Sequence, residues 1–232
     1  MSERSDAGRK ESGEGRMRAD AQRNRQLIIE AARDIFIESG ADAPLDEIAR
    51  RAGVGIATLY RRFPDRDDLI RAVVLNTFSA MVDAAQDAEA NGTDAYHALR
   101  LFMHRALDAK IGATMPALAG RVVFDDEVDG ARLAAGTVVQ RILDTAQEQG
   151  LVRKDIAFGD ITFMVIRLTR PLPAIAKLLV DGDLAHRHLD IYLDGLRAEG
   201  DGERAELPAP VVTLADFDKV RKRLASGRAD DL

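Results

Sequence analysis

Between Leu45 and Phe63 the chain carries two short amphipathic stretches joined at Gly53, and few folds accommodate that string. Ile48, Ala49, Ala52, Val54, Leu59 and Phe63 have the spacing to lock two helices together, which leaves Thr58, Tyr60, Arg61 and Arg62 to face outward. A glycine at the tight turn, with hydroxyl, phenol and guanidinium groups on the second helix, is the layout of a helix-turn-helix that sets one helix into a DNA major groove.

The flanking sequence extends this reading. Ile28, Ala31, Ala32, Ile35 and Phe36 fall on one helical face, predicting a helix from about Ala21 to Ser39 that stops at Gly40. Pro44 suits the first position of the next helix, with Asp46 and Glu47 where the helix dipole favours acids. Pro64 and Asp65 break the chain, and a long helix is expected from about Arg66 to Asn91. Residues 1–19 lack an apolar pattern and read as a disordered basic arm, either merely solvated or lying along a duplex backbone.

The net charge of −6 argues at first against a nucleic-acid partner. Its distribution matters more: residues 1–75 hold 14 Lys/Arg against 14 Asp/Glu, so the acidic excess, 19 against 25, lies wholly downstream. Without cysteine there is no disulfide framework and no thiolate metal site. No apolar run reaches the roughly 20 residues of a membrane span, so a soluble cytoplasmic protein without membrane association is expected.

Downstream, the pattern stays helical, which makes the fold class all-α. Helices are expected at 94–113, 116–124, 129–149, 158–170 and 183–199, with breaks near Asn91, Gly112, Gly150, Pro171, Pro173 and Gly200. Residues 200–210 read as a linker, and Thr213 as the cap of a last amphipathic helix carrying Leu214, Phe217, Val220 and Leu224. The domains expected are the arm (1–19), a helix-turn-helix domain (20–65), a larger helical domain (66–200) and a linker with a short helix (201–232). There is no Gly-rich phosphate loop, no HExxH and no cysteine nucleophile, which argues against an enzyme.

A reading helix needs phosphate contacts for position and base-edge contacts for sequence. Tyr60 and Thr58 suit phosphate oxygens; Arg66 adds a charged clamp; Arg61 and Arg62 reach phosphates or the guanine edge. Gly55, Ile56 and Ala57 at the entry have no side chain for bidentate hydrogen bonding, so readout there is apolar.

The segment from Asn24 to Val74 resembles the DNA-binding domain of the TetR (tetracycline-repressor-like) family. It carries Ala52-Gly53-Val54, Thr58-Leu59-Tyr60 and Phe63 where that family has its hallmark. The resemblance implies that Thr58, Tyr60 and Arg66 contact backbone phosphates and that Gly55, Ile56, Ala57, Arg61 and Arg62 lie on the exposed recognition helix. Pro44 stands where a hydroxyl residue often opens the second helix, Arg62 where His is common and Arg66 where Lys is common. The resemblance further implies a homodimer on a palindromic double-stranded operator, joined through helices 158–170 and 183–199. It also implies a helical C-terminal domain that encloses an unidentified small-molecule effector, with no other cofactor.

Candidate ligand residues are Phe102, Met103, Phe124, Phe163 and Arg167, together with Leu107, Met115 and Met164. Met and Phe at helical spacing serve equally as core. Arg167 interrupts an apolar run, where it would meet an anionic ligand, Asp125 or Asp126, or else solvent or a dimer partner. His104 precedes Asp108 by one turn, an i,i+4 pair; as a metal site it is thin. A repressor is the leading expectation; an activator or a helical interaction module is the alternative.

Overall fold

The computed structural model describes the backbone of residues 4–170, 184–198, 207–208 and 211–225, and their side chains from residue 19 to residue 220. Among the described residues there are ten helices: α1 (Arg4–Ser39), α2 (Leu45–Arg51), α3 (Ile56–Arg62), α4 (Arg66–Asn91), α5 (Ala95–Asp108), α6 (Ile111–Ala117), α7 (Asp126–Glu148), α8 (Phe158–Leu168), α9 (Leu184–Leu196) and α10 (Leu214–Ala225). The all-α expectation holds. The breaks expected at Pro171, Pro173 and Gly200 lie outside the described residues.

The chain divides into two units, Met1–Asn76 with Ala117–Val122, and Thr77–Pro116 with Val123–Leu232. The boundary therefore falls inside α4 rather than before it. Leu69, Ile70, Val73 and Val74, on the first turns of α4, are buried in the first unit, so hydrophobic burial carries that domain past the expected end at residue 65.

In the first unit Ile28, Ile29, Ala32, Ile35 and Phe36 of α1 are buried as their spacing predicts. The helix, however, starts at Arg4 rather than near Ala21, so the stretch expected as a disordered arm has helical backbone. No proline interrupts it, and Ala, Arg, Glu, Lys, Gln and Met outweigh Gly8, Gly13 and Gly15. Extending a helix from an existing turn is easier than nucleating one. Gly40 ends α1 at φ 84°, in the left-handed region. Pro44 sits one place earlier than expected, as the N-cap of α2, with no side-chain cap; Asp46 and Glu47 occupy the first turn.

The core of the second unit gathers around α5, which meets α7, α8 and α9. Leu99, Met103, Ala106, Ile142, Leu143, Val152, Ile161, Leu189 and Leu193 are buried there. Acidic caps start two of the helices: Asp94 Oδ1 accepts from the His97 amide at 2.8 Å and Asp125 Oδ1 from the Val128 amide at 2.9 Å. An isolated antiparallel bridge between Val152 and Arg197 ties the end of α9 to the α7–α8 connection.

Two boundaries differ from expectation around α6. The break after α5 is at Lys110, whose φ of 53° is left-handed, and not at Gly112. Gly112 instead lies within α6, where a Cβ would stand 2.7 Å from both Cα and N of Ile166. The glycine is thus a close-packing residue between α6 and α8. The helix expected at 116–124 is displaced to Ile111–Ala117, with Pro116 inside its last turn.

Residues 207–220 belong to the second unit. Asp155 Oδ2 accepts from the Leu207 amide at 3.1 Å, and Arg153 grips the same carboxylate through Nε at 2.8 Å and Nη2 at 2.5 Å. The Gly159 amide donates to Val212 O at 2.7 Å. Thr213 and Asp216 open α10 together: Asp216 Oδ2 accepts from the Thr213 amide at 3.0 Å and from its hydroxyl at 2.6 Å.

Two outcomes follow from this packing. Gly112→Ala is expected to destabilise the protein by about 1–3 kcal/mol in urea unfolding, because backbone rather than a flexible side chain blocks the new methyl. An unchanged midpoint would remove that role. The Arg153 hydrogen bonds hold the Asp155 carboxyl down at about 2, below its ordinary 3.8. A depressed carboxyl pKa contributes stability above the ordinary value and loses it as pH falls through the folded one. The Leu207 amide resonance is therefore expected to stay fixed above pH 4 and to move only as pH approaches 2; a midpoint near 4 would show the anchor absent.

Candidate functional site

The helix-turn-helix is built by α2 and α3, each only seven residues long. Helices that short are marginal in water and owe their shape to tertiary burial. Ile48, Ala49, Ala52, Leu59 and Phe63 supply it. Gly53, at φ 69°, makes the turn, and the Val54 amide closes it on Ala49 O at 3.0 Å. The Arg25 guanidinium covers the Phe63 ring at 5.4 Å. Arg51 Nη1 bonds Glu38 Oε1 at 2.7 Å, tying α2 to α1 and raising the Arg51 pKa.

These contacts leave one face of α3 outward. Gly55, Ile56, Ala57, Tyr60, Arg61 and Arg62 are exposed, Tyr60 at 50%, and Thr58 is half-buried. Among the described residues the side chains of Tyr60, Arg61 and Arg62 have no hydrogen-bond or ion-pair partner. Two guanidinium groups and a phenol thus point to solvent beside a bland entry of Gly55, Ile56 and Ala57.

Arg66 does something the spacing of the motif did not reveal. Its Nη1 donates to Ala41 O at 2.8 Å and Ala43 O at 2.6 Å, bracing the start of α4 on the α1–α2 connection. The remaining guanidinium N–H groups are what it has to offer an external anion. A nearby brace joins Arg121, in the segment 117–122, to Asp42 at 2.6 Å and Asp67 at 3.6 Å.

The second unit holds a cavity of about 270 Å³ among α4, α5, α6, α7, α8 and α10. Phe102 and Phe124 line it, as does Met115; Met103, Phe163 and Arg167 do not. The helical turn explains the split. One residue beyond Phe102 the chain has rotated about 100°, which puts Met103 wholly into the core. Phe163 is 43% exposed with its ring 5.4 Å from Phe217, and Arg167 faces solvent. Asp125, one partner considered for Arg167, caps α7. Thr162 and Arg132 are the polar lining side chains, and Arg132 pairs with Asp218 and, at 3.6 Å, with Asp129.

His104 does not pair with Asp108. It meets His186 of α9 through Nδ1···Nδ1 at 2.5 Å, with the rings stacked, and its Nε2 lies 2.9 Å from Asp190. Asp108 instead meets His186 Nε2 at 2.8 Å. Spacing along one helix favoured the i,i+4 partner; the approach of α9 supplied a better one. Among the described residues no group of three or more His, Asp or Glu is placed to hold a metal ion, and no helix is long and apolar enough to cross a membrane.

An exposed, basic second helix on a helix-turn-helix defines a DNA-binding regulator. Residues 28–73 match the model of bacterial regulatory proteins of the tetR family, and residues 94–198 that of the SbtR-like transcriptional regulator C-terminal domain. An HTH-type transcriptional regulator of Staphylococcus aureus (strain USA300) is 31% identical over 176 residues, 75% of this chain and 90% of that protein. Solved TetR regulators from Streptomyces coelicolor (32% identical, 75% of this chain and 98% of that one, TM-score 0.56) and Mycobacterium vanbaalenii (33%, 78% and 99%, TM-score 0.55) are similar in sequence and fold. The chain belongs to the TetR family of bacterial transcriptional regulators.

The two roles of Arg66 separate experimentally. Arg66→Ala is expected to lower stability by about 2 kcal/mol, since it leaves two carbonyls without their charged donor. Arg66→Lys keeps the charge, but its shorter side chain does not carry the ammonium to the position of Nη1, so it recovers little of that loss. Full recovery of the unfolding midpoint by Lys would show that charge alone matters.

Proposed function

We propose that the protein is a homodimeric repressor that holds a near-palindromic operator through α3 of each protomer and releases it when a small molecule occupies the second unit. The observation that carries the DNA half is the outward face of α3, where Tyr60, Arg61 and Arg62 have no intramolecular partner among the described residues. Unpaired cations on a rigid helix, next to a half-buried Thr58 hydroxyl, suit phosphate oxygens and guanine edges. Gly55, Ile56 and Ala57 let the backbone approach the groove and meet thymine methyls. Arg66 chiefly positions α4 and offers its remaining N–H groups to a phosphate.

Dimerisation fits the exposed apolar residues of α8 and α9, Phe163 and Ile191, the latter 61% exposed. One reading head buries too little surface to select a site, and a two-fold pair reads a palindrome. The release half is supported by chain connectivity. Arg66 starts α4 in the first unit, and Phe78 and Met81 of the same helix line the cavity in the second. A ligand that binds one α4 position better than another shifts operator affinity by that difference, typically about 1–3 kcal/mol.

Selection of bound sequences from random duplex DNA is expected to enrich a palindrome. Binding to it should weaken by about 10³-fold or more between 50 and 200 mM salt if roughly six phosphates are engaged. Tyr60→Ala should weaken binding while the dimer persists in size-exclusion chromatography. Undiminished affinity of that variant in a gel shift sinks the assignment of α3, and a pool that enriches no palindrome points to an interaction module.

A further inference from the structure

We propose that the C-terminal helix α10 is a tethered wall of the cavity and restricts its occupant to uncharged, apolar molecules; this rests on the cavity being the effector site. Leu214, Phe217 and Val220, spaced by single helical turns, contribute the apolar face of α10 to the lining. The helix lies beyond residue 198, where the match to the C-terminal family model ends.

The surfaces that receive α10 are built for it. Gly136 of α7 and Gly159 of α8 sit where the C-terminal segment crosses. A Cβ on Gly136 would stand 2.7 Å from Leu214 Cδ1; one on Gly159 would stand 2.6 Å from Val212 Cβ and 2.7 Å from Val212 O. Backbone joins backbone there through the Gly159–Val212 hydrogen bond. The Phe217 ring packs edge-on to Phe158, with centroids 5.4 Å apart, and lies tilted on Phe163 at the same distance. Asp155 anchors the segment further back, at the Leu207 amide.

Selectivity follows from one ion pair. Arg132 is the charged residue of the lining, its side chain only 14% exposed, and Asp218 of α10 and Asp129 both face its guanidinium. Neither carboxylate lines the cavity. With α10 in place, two carboxylates match the Arg132 charge and only its Nε–H lacks a hydrogen-bond partner among the described residues, so an anion entering this apolar space would lose its hydration for little compensation. Around it stand Phe78, Phe102, Phe124, Phe158, Ile161 and Val165, which reward apolar area alone. Neutralising Asp218 relaxes that discrimination, because it removes the nearer of the two carboxylates that face Arg132 and leaves only Asp129 against the guanidinium.

Two dyes of the same skeleton test this on the 232-residue chain: neutral N-phenylnaphthylamine and its anionic sulfonate, anilinonaphthalene sulfonate. The unmodified chain is expected to bind the neutral dye at least about tenfold tighter, and Asp218→Asn to shift that ratio towards the sulfonate by about tenfold. The chain has no tryptophan, so Phe217→Trp reports on α10 by itself. Its emission should be quenched saturably by the neutral dye, at the same midpoint as dye fluorescence. Equal affinity for both dyes, or a ratio unmoved in Asp218→Asn, overturns the selectivity. Saturable dye binding that leaves the Phe217→Trp emission unchanged overturns the wall, while the cavity as a ligand site stands. If neither dye binds, the effector reading itself fails, and this inference with it.

Discussion

Leu59 and Phe63 of the α3 segment are buried so completely that the orientation of the helix follows from them, and everything on its far side inherits that orientation. Two seven-residue helices have no stability of their own. Their geometry is borrowed from the apolar faces of α1 and the first turns of α4. The exposed Tyr60, Arg61 and Arg62 are therefore fixed indirectly, by residues that never meet solvent. A cavity-forming change at Leu59 would misplace the basic face without touching any of its members. The Arg66 guanidinium adds a polar strut to this arrangement, pinning Ala41 and Ala43 carbonyls that no helix satisfies.

The DNA-binding half was legible because its physics is local. Apolar spacing, a turn glycine and the leftover polar residues are all read within about fifty consecutive positions. Other features were not legible, and each depends on a neighbour distant in sequence. Gly112 looks like a helix breaker until Ile166 is seen against it. His104 looks like a partner for Asp108 until α9 brings His186 and Asp190. Met103, Phe163 and Arg167 look as plausible as Phe102 and Phe124 for a ligand wall, because periodicity marks an apolar face without saying which element covers it. Leu214, Phe217 and Val220 were visible as an amphipathic stripe, yet nothing in their spacing names the cavity they border.

Charge is arranged differently on α3 and in the second unit. Among the described residues the guanidinium groups of Arg61 and Arg62 have no ion-pair partner, whereas several arginines of the second unit are matched: Arg132 with Asp129 and Asp218, Arg153 with Asp155, Arg141 with Glu89, Arg100 with Asp190. The exposed pairs among them, Arg141 with Glu89 and Arg100 with Asp190, add little stability each. Their effect is to cancel cations that would otherwise attract polyanions to the wrong surface. The acidic excess downstream of residue 75 extends that effect, so the overall negative charge is compatible with a DNA-binding protein.

Matching Arg132 within the lining has a further consequence for any ligand that works through the cavity. An anionic effector would be rewarded by salt bridges, whose strength is set by the positions of a few charged atoms. An apolar one is rewarded by area, roughly 25 cal/mol per Å² buried. Area changes continuously as α4, α6 and α10 shift, since Phe78, Met115 and Phe217 stand on those three helices. A ligand of that kind discriminates between two helix arrangements only by how much wall it covers in each, so about 60 Å² of differential coverage corresponds to about 1.5 kcal/mol of coupling. One aromatic side chain moving on or off the ligand is enough. The C-terminal helix, by adding Phe217 to the wall, enlarges the area through which such a difference arises.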